Sequence, residues 1–174
     1  MILPPGVVRY LVVGQAIIPF FINVAVNVVL GVLAFSGSET VPTWATDKGA
    51  VADSIGTCFF LPFITCLIAT PIVRRHVARG VVRPVAIGDL PGWMLLFRQP
   101  SLLRAIMFGI AGLMTLSGPV FAVYRVLADE TIPTGSFLVI KAAFAGSFGV
   151  FATPLIALVA MTDSEVNASE AVRH

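Results

Sequence analysis

Three carboxamide side chains stand out in the first long apolar run of this chain: Gln15, Asn23 and Asn27. Residues 10–35 contain no charged residue, so these amides are the strongest hydrogen-bonding groups in the run. Asn23 and Asn27 are four residues apart and therefore share one face of a helix. An amide surrounded by hydrocarbon needs a hydrogen-bond partner. The set predicts either hydrogen bonds between helices or a polar path or binding site, and both interpretations remain open.

Lys141 is the second candidate for a polar site, because it lies near the start of the last apolar run, residues 137–162. Its long aliphatic stem would let the ammonium group reach the lipid headgroups, a behaviour typical of lysine near a helix end. The alternative is a salt bridge to Glu130 or Asp129 at the outer mouth of the helices. Neither interpretation requires Lys141 to have a catalytic role.

Two glutamates occupy equivalent positions in a repeated segment, which reads Glu-Thr-Val-Pro-Thr from Glu39 and Glu-Thr-Ile-Pro-Thr from Glu130. Two carboxylates brought together by such a repeat could share acid and base roles. We interpret them instead as capping or turn residues of two outer connectors, because each segment joins two apolar runs.

Catalytic and cofactor chemistry has little support in the remaining residues. Both histidines, His76 and His174, lie outside the apolar runs, so neither is placed to bind haem at membrane depth. The chain contains no Cys-x-x-Cys, nucleophile elbow, phosphate loop or dinucleotide fingerprint. Cys58 and Cys66 are expected to pack as small apolar residues. We therefore predict a protein that is not an enzyme and that has no metal or cofactor site.

The composition indicates that the main solvent is lipid. Hydrophobic residues make up 57% of the 174-residue chain and charged residues only 11%, whereas a soluble domain has about 25% charged residues. So few charges cannot cover a surface exposed to water, so the lipid bilayer is the expected partner of that surface. The net charge of +2 argues against a nucleic-acid partner.

Four apolar segments are long enough to cross a bilayer, near residues 9–36, 52–75, 102–126 and 135–162. The repeated connectors, together with Ala-Thr-Pro at residues 69–71 and 152–154, indicate a duplicated unit of two helices. The expected fold is an all-α membrane protein with four transmembrane helices built from two similar helical hairpins. Because each unit has two spans, both units share one orientation, which makes a parallel 2+2 repeat.

This pattern divides the chain into four parts. Residues 1–76 are the first transmembrane hairpin, and residues 105–162 are the second. Residues 77–104 form a basic linker between them, in which the apolar stretch 90–97 is expected to lie as a short helix in the membrane interface. Residues 163–174 form a polar C-terminal tail.

Arginine placement predicts the orientation. Six arginines lie in the linker or at its edges, at positions 74, 75, 79, 83, 98 and 104. The positive-inside rule places the linker in the cytoplasm. With four spans, both termini are then cytoplasmic and both connectors face outward. We expect a multi-pass protein of a bacterial inner membrane.

The segment Leu67-Ile-Ala-Thr-Pro-Ile-Val-Arg-Arg-His-Val-Ala-Arg79, preceded by Asn27 and Trp44, resembles the second half of a family of small, uncharacterised bacterial two-helix membrane proteins. The resemblance covers residues 9–80 at most. It implies a two-helix unit and a bacterial source, and it implies no activity.

The expected function is binding or transport of a small solute by an oligomer of this chain. Four helices enclose little volume, so a pathway would form between protomers. The small residues of the third and fourth spans would support that association; they include Gly109, Gly112, Gly146 and Gly149. The alternative is an accessory subunit that packs beside a larger membrane complex.

Overall fold

The structure is a computed structural model that describes residues 3–127 and 129–163. Within these ranges it contains four helices that are long and apolar enough to cross a membrane. We name them α1 (Pro5–Phe35), α2 (Ala50–Ala78), α3 (Ser101–Leu127) and α4 (Thr134–Met161). The four predicted transmembrane helices are confirmed as helices of this length and polarity. They fit a multi-pass membrane protein, because a helix satisfies its backbone hydrogen bonds within itself.

The first helix contains a wider turn just before Pro19. Residues Tyr10–Ile17 are π-helical, and the Ile18 N–H donates to the carbonyl of Val13, five residues earlier. A proline within a helix has no N–H, and its ring crowds the preceding turn. The π-helical stretch gives that turn more room, so α1 continues through Pro19 to Phe35.

The helices pack in the order α1, α4, α2, α3. The first helix packs on α4, the third packs on α2, and α2 and α4 contact each other in the middle. Each hairpin therefore packs mainly against the other hairpin. As a result, α1 and α2 lie on different sides of α4 although they are consecutive in the sequence.

Two short strands join the connectors to each other. Strand β1 (Thr40–Pro42) pairs antiparallel with β2 (Thr131–Pro133), with Val41 opposite Ile132. Thr43 and Thr134, the last residues of the two repeated segments, extend the pairing. The Thr43 N–H donates to the Glu130 carbonyl at 2.9 Å, and the Thr134 N–H donates to the Glu39 carbonyl at 3.0 Å.

The threonine hydroxyls repeat this reciprocal pattern. The Thr43 hydroxyl donates to the Asp129 carbonyl at 2.5 Å, and the Thr134 hydroxyl donates to the Ser38 carbonyl at 2.7 Å. The two connectors thus make equivalent bonds to each other. The parallel 2+2 repeat of the helices themselves stays a prediction.

The small residues of α3 and α4 are used inside the chain. A Cβ atom at Gly112 would overlap the carbonyl oxygen of Cys58 on α2, and a Cβ atom at Gly146 would lie 2.7 Å from the Phe20 ring on α1. Gly109, Gly112, Gly146 and Gly149 thus support contacts within the chain. Close approach of α3 to α2, and of α4 to α1, occupies these positions. Association between protomers through the third and fourth spans stays a prediction.

The linker holds two short 3₁₀ helices, Ile87–Asp89 and Gly92–Phe97. The predicted short helix at residues 90–97 thus exists, but it is a 3₁₀ helix. Met94 is buried in the core at this end of the bundle, whereas Trp93 is exposed. Its location in the membrane interface stays a prediction. Of the predicted tail, residues 164–174 lie outside the described residues.

Candidate functional site

Lys141 forms a salt bridge with Asp53. Its Nζ atom lies 2.6 Å from Oδ1 and 2.5 Å from Oδ2 of the carboxylate. Lys141 is in the second turn of α4 and is only 5% exposed, while Asp53 lies in the first turn of α2. The pair therefore connects the two central helices close to the connectors.

This geometry corrects both interpretations of Lys141. The side chain neither extends to the headgroups nor pairs with Glu130 or Asp129. Its aliphatic stem passes over Gly31 of α1, where a Cβ atom would lie 3.5 Å from the Lys141 Cδ atom. The stem is thus enclosed between α1 and α4, and it directs the ammonium group toward α2.

The two asparagines of α1 face the same region. Asn27 is 7% exposed, and its Nδ2 atom donates to the Asn23 carbonyl at 3.0 Å. The Asn23 amide lies against Gly149 of α4, where any Cβ atom would collide with it. Both amides therefore lie within the bundle as expected. The Asn27 bond stays within its own helix, so it does not connect two helices.

Gln15 does not belong to this group. It is buried in the π-helical part of α1, toward the opposite end of the helix. At that end the hydroxyl of Tyr10 lies 2.8 Å from Nδ1 of His76. The structure thus brings together Asn23, Asn27 and Lys141 and leaves Gln15 apart.

A groove of about 500 Å³ lies between α1 and α2, with Lys141 of α4 at its floor. The groove exists because α1 and α2 both pack on α4, which separates them. Its volume is within the range of small-molecule sites, about 300–1,000 Å³. Six polar residues line it: Asn23, Asn27, Asp53, Thr57, Thr65 and Lys141.

The groove has its charged residues near one end, further polar side chains along its length and apolar residues on its sides. The salt bridge lies near the connectors, and the groove extends from there to Thr65, near the middle of α2. Its sides include four large apolar residues that are also exposed on the outer surface of the bundle: Val26, Leu30, Phe60 and Ile64. The groove therefore opens sideways, toward the region that lipid would occupy.

A second groove lies in the corresponding place between α3 and α4. It has a volume of about 250 Å³ and is lined mostly by apolar residues, including Leu116, Val123 and Phe144. Its polar contact is between the hydroxyls of Ser54 and Tyr124, 3.0 Å apart. The two sides of the bundle therefore differ, since one holds amides and a salt bridge and the other holds two hydroxyls.

Sequence reasoning did not identify Asp53 as a site residue. One signal was present in the sequence. Asp53 lies at the start of the second apolar run and Lys141 near the start of the fourth, and each of these runs follows a connector. Residues within the first two turns of two helices that begin beside paired connectors lie at similar depth. In the structure the Asp53 side chain is 22% exposed and the Lys141 side chain 6%.

A second charged cluster lies at the opposite end of the bundle. Arg104 is 1% exposed, and it donates from Nη1 and Nη2 to the two oxygens of Asp163 at 2.9 and 2.7 Å. Its Nε atom donates to the Phe97 carbonyl at 3.0 Å. Arg74 also binds Asp163 at 2.8 Å but remains 44% exposed. Arg104, which we assigned to the linker, is thus a buried residue in the first turn of α3.

The connector glutamates form no site with each other. Both Glu39 and Glu130 are exposed, and it is their backbone carbonyls that take part in the pairing of the connectors. This geometry fits the interpretation as connector residues. Among residues 3–127 and 129–163, no group of three or more His, Cys, Asp or Glu side chains is placed to hold a metal ion.

Comparisons of this chain with protein-family models, with curated proteins and with solved structures find no match.

Proposed function

We propose that this chain is a small membrane protein that binds a small amphipathic solute in the groove between α1 and α2 and catalyses no reaction. The observation that supports this most is the combination of the Asp53–Lys141 salt bridge and the amide of Asn27 in one groove of about 500 Å³. Charged residues within membrane helices are costly, and those that occur commonly mark binding sites or solute pathways.

The shape of the groove supports binding over a purely structural role. Two helices packed side by side would bury Asn27 and Asp53 without a cavity, whereas here these side chains border open volume. A mostly apolar lining with a few polar groups is typical of sites for small organic molecules. The solute would enter from the bilayer, because the groove opens between two lipid-facing helices.

The proposal includes an orientation in a bacterial inner membrane. Both termini and the arginine-rich linker are placed in the cytoplasm, and the paired connectors are placed outside. The salt bridge is then near the outer surface, and the Arg74–Asp163–Arg104 cluster near the inner one. The reciprocal bonds of Thr43 and Thr134 support a parallel 2+2 repeat with its pseudo-twofold axis along the membrane normal.

We further propose that the solute is transported, with protomers associating through surfaces other than the glycines of α3 and α4. The alternative function is that of an accessory subunit beside a larger membrane complex. One observation is compatible with the alternative: α1 exposes large apolar side chains along its outer face, with Phe21 at 65% and Leu33 at 69% exposure. Such a face suits lipid or a neighbouring membrane helix.

The proposal is tested by replacing the groove amides. We expect the double variant Asn23→Leu/Asn27→Leu to fold and to lose the small molecule that co-purifies with the wild-type protein, as detected by mass spectrometry of protein purified from native membranes. Gln15→Leu is the matched control, because it removes an amide of the same helix outside the groove. Equal ligand content in all three proteins would contradict the proposal.

Two further measurements separate the alternatives. Flux of the identified molecule into liposomes that contain the purified protein would support transport. Co-purification with a fixed set of membrane proteins, without a bound small molecule, would instead support the accessory-subunit role.

A further inference from the structure

We infer that the solute of the α1–α2 groove is an uncharged, lipid-soluble alcohol whose hydroxyl group binds beside the Asp53–Lys141 salt bridge. This inference depends on the proposed function, since it names the class of molecule that the same groove would hold. It follows from the charge of the groove, from the hydrogen-bonding groups of Asp53 and Lys141, and from the direction in which the groove opens.

The charge of the groove argues against an ionised ligand. The charged residues that line it are Asp53 and Lys141, and their charges cancel. An anion bound to the ammonium group would partly displace Asp53 and would lie beside its carboxylate. A cation would displace Lys141 in the same way. Leaving one member of a buried pair uncompensated is strongly unfavourable, so the neutral groove favours a neutral ligand.

The hydrogen-bonding groups favour a hydroxyl among neutral head groups. A carboxylate has about four acceptor positions, and Lys141 occupies two of those of Asp53. The Asp53 side chain is 22% exposed, so acceptor positions remain on the groove side. A hydroxyl can donate to this acceptor and also accept from the ammonium or amide N–H groups of the groove, whereas a ketone or an ester can only accept. The bond would have a charged acceptor, which makes it stronger than a bond between neutral groups.

The rest of the groove matches an apolar body. From the salt bridge toward the middle of α2 the large lining residues are Leu30, Phe60, Leu61 and Ile64, and the polar ones there are Asn23, Thr57 and Thr65. The large apolar side chains would contact a hydrocarbon chain, and the sideways opening allows entry from the acyl region of the bilayer. The smaller α3–α4 groove has no charged residue in its lining, and it provides an internal comparison.

The test uses three photoreactive probes of equal chain length in nanodiscs that contain the full-length protein: a diazirine fatty alcohol, the corresponding fatty acid and the corresponding hydrocarbon. The measurement is made at alkaline pH, so that the acid is ionised. We expect the alcohol to label peptides of α1 and α2 that border the groove about tenfold more than the other two probes. Tenfold is the lower value for one hydrogen bond to a charged group.

Two variants locate the labelling. Ile64→Trp places an indole in the lining of the α1–α2 groove and should abolish the preference for the alcohol. Val123→Trp places an indole at a similarly exposed apolar position of the α3–α4 groove, and it should leave the labelling unchanged because it does not alter the α1–α2 groove. Retention of the preference in Ile64→Trp would contradict the location.

The outcomes distinguish this inference from the proposed function. If the acid or the hydrocarbon labels the groove as strongly as the alcohol, and Ile64→Trp removes that labelling, the groove binds a molecule and the inference about the hydroxyl is wrong. If no probe labels the groove more in the wild-type protein than in Ile64→Trp, both the inference and the proposed function are contradicted.

Discussion

The ammonium group of Lys141 is bound by both carboxylate oxygens of Asp53, a residue 88 positions earlier in the chain. This salt bridge joins α4 to α2 next to the paired connectors. It is enclosed on the lysine side, since the Lys141 side chain is 6% exposed. The structure therefore stabilises two charges in a region where each of them alone would be costly.

The first prediction concerns this pair. Lys141→Met leaves Asp53 without its partner, and we expect the free energy of unfolding to fall by about 3–5 kcal/mol. The double variant Lys141→Met/Asp53→Leu removes both charges, and it should recover most of the loss. The measurement is unfolding by denaturant in detergent micelles. Lys48→Met, at an exposed connector position, serves as the control and should have no effect. A double variant less stable than Lys141→Met would contradict the prediction.

The second prediction compares the two arginines that share Asp163. Arg104 is buried and binds with both terminal nitrogens, whereas Arg74 is 44% exposed. We expect Arg104→Gln to lower the free energy of unfolding by about 3–5 kcal/mol, since it breaks a buried pair. Arg74→Gln should lower it by less than about 1 kcal/mol, because an exposed pair contributes little. Equal losses of unfolding free energy in the two variants would contradict the prediction that burial sets the contribution of each arginine.

The third prediction concerns the paired connectors. Thr43→Val and Thr134→Val each remove one hydroxyl bond to the opposite connector and preserve the branched shape of the side chain. We expect each variant to lower the free energy of unfolding by about 0.5–1.5 kcal/mol. The loss should be larger for Thr43, which is fully buried, than for Thr134, whose bond is exposed to solvent. Thermal unfolding of the two variants side by side measures the difference, and a larger effect for Thr134 would contradict it.

The fourth prediction concerns close helix contact. Gly112→Ala places a methyl group against the Cys58 carbonyl of α2, so we expect a loss of about 1–3 kcal/mol from overpacking. Gly118→Ala in the same helix meets no atom within 4 Å. It should be neutral or stabilising by up to about 1 kcal/mol, because alanine favours the helix. Denaturant unfolding of both variants tests the contrast, and a harmless Gly112→Ala would argue against direct α2–α3 contact at this point.

The fifth prediction concerns orientation. A cysteine at position 46 (Thr46→Cys) lies in the first connector, and a cysteine at position 83 (Arg83→Cys) lies in the arginine-rich linker. A membrane-impermeant thiol reagent added to intact cells should label the first and leave the second unlabelled. The wild-type protein, in which Cys58 and Cys66 are buried, gives the background level of labelling. Labelling at position 83 without labelling at position 46 would reverse the orientation.

The four helices could be predicted from the sequence because helix formation in lipid is mainly a local property. Each backbone bond closes within four or five residues, and an uncharged run of about 20 residues is long enough to cross the bilayer. The predicted limits near residues 52–75 and 135–162 differ by only a few residues from Ala50–Ala78 and Thr134–Met161. The burial of Asn27 could be predicted for the same reason, since an amide does not remain in hydrocarbon without a partner.

The partners of the side chains were decided only by the tertiary structure. The repeated segments indicated a duplication, but they did not indicate that Thr43 would bond to Glu130 and Thr134 to Glu39. Nor did they indicate that α1 would pack on α4. That arrangement separates α1 from α2, opens the groove between them and turns Lys141 toward Asp53. These outcomes depend on which face of each helix meets its neighbour, and uniformly apolar faces leave that choice to the fit of glycines against side chains from distant parts of the chain.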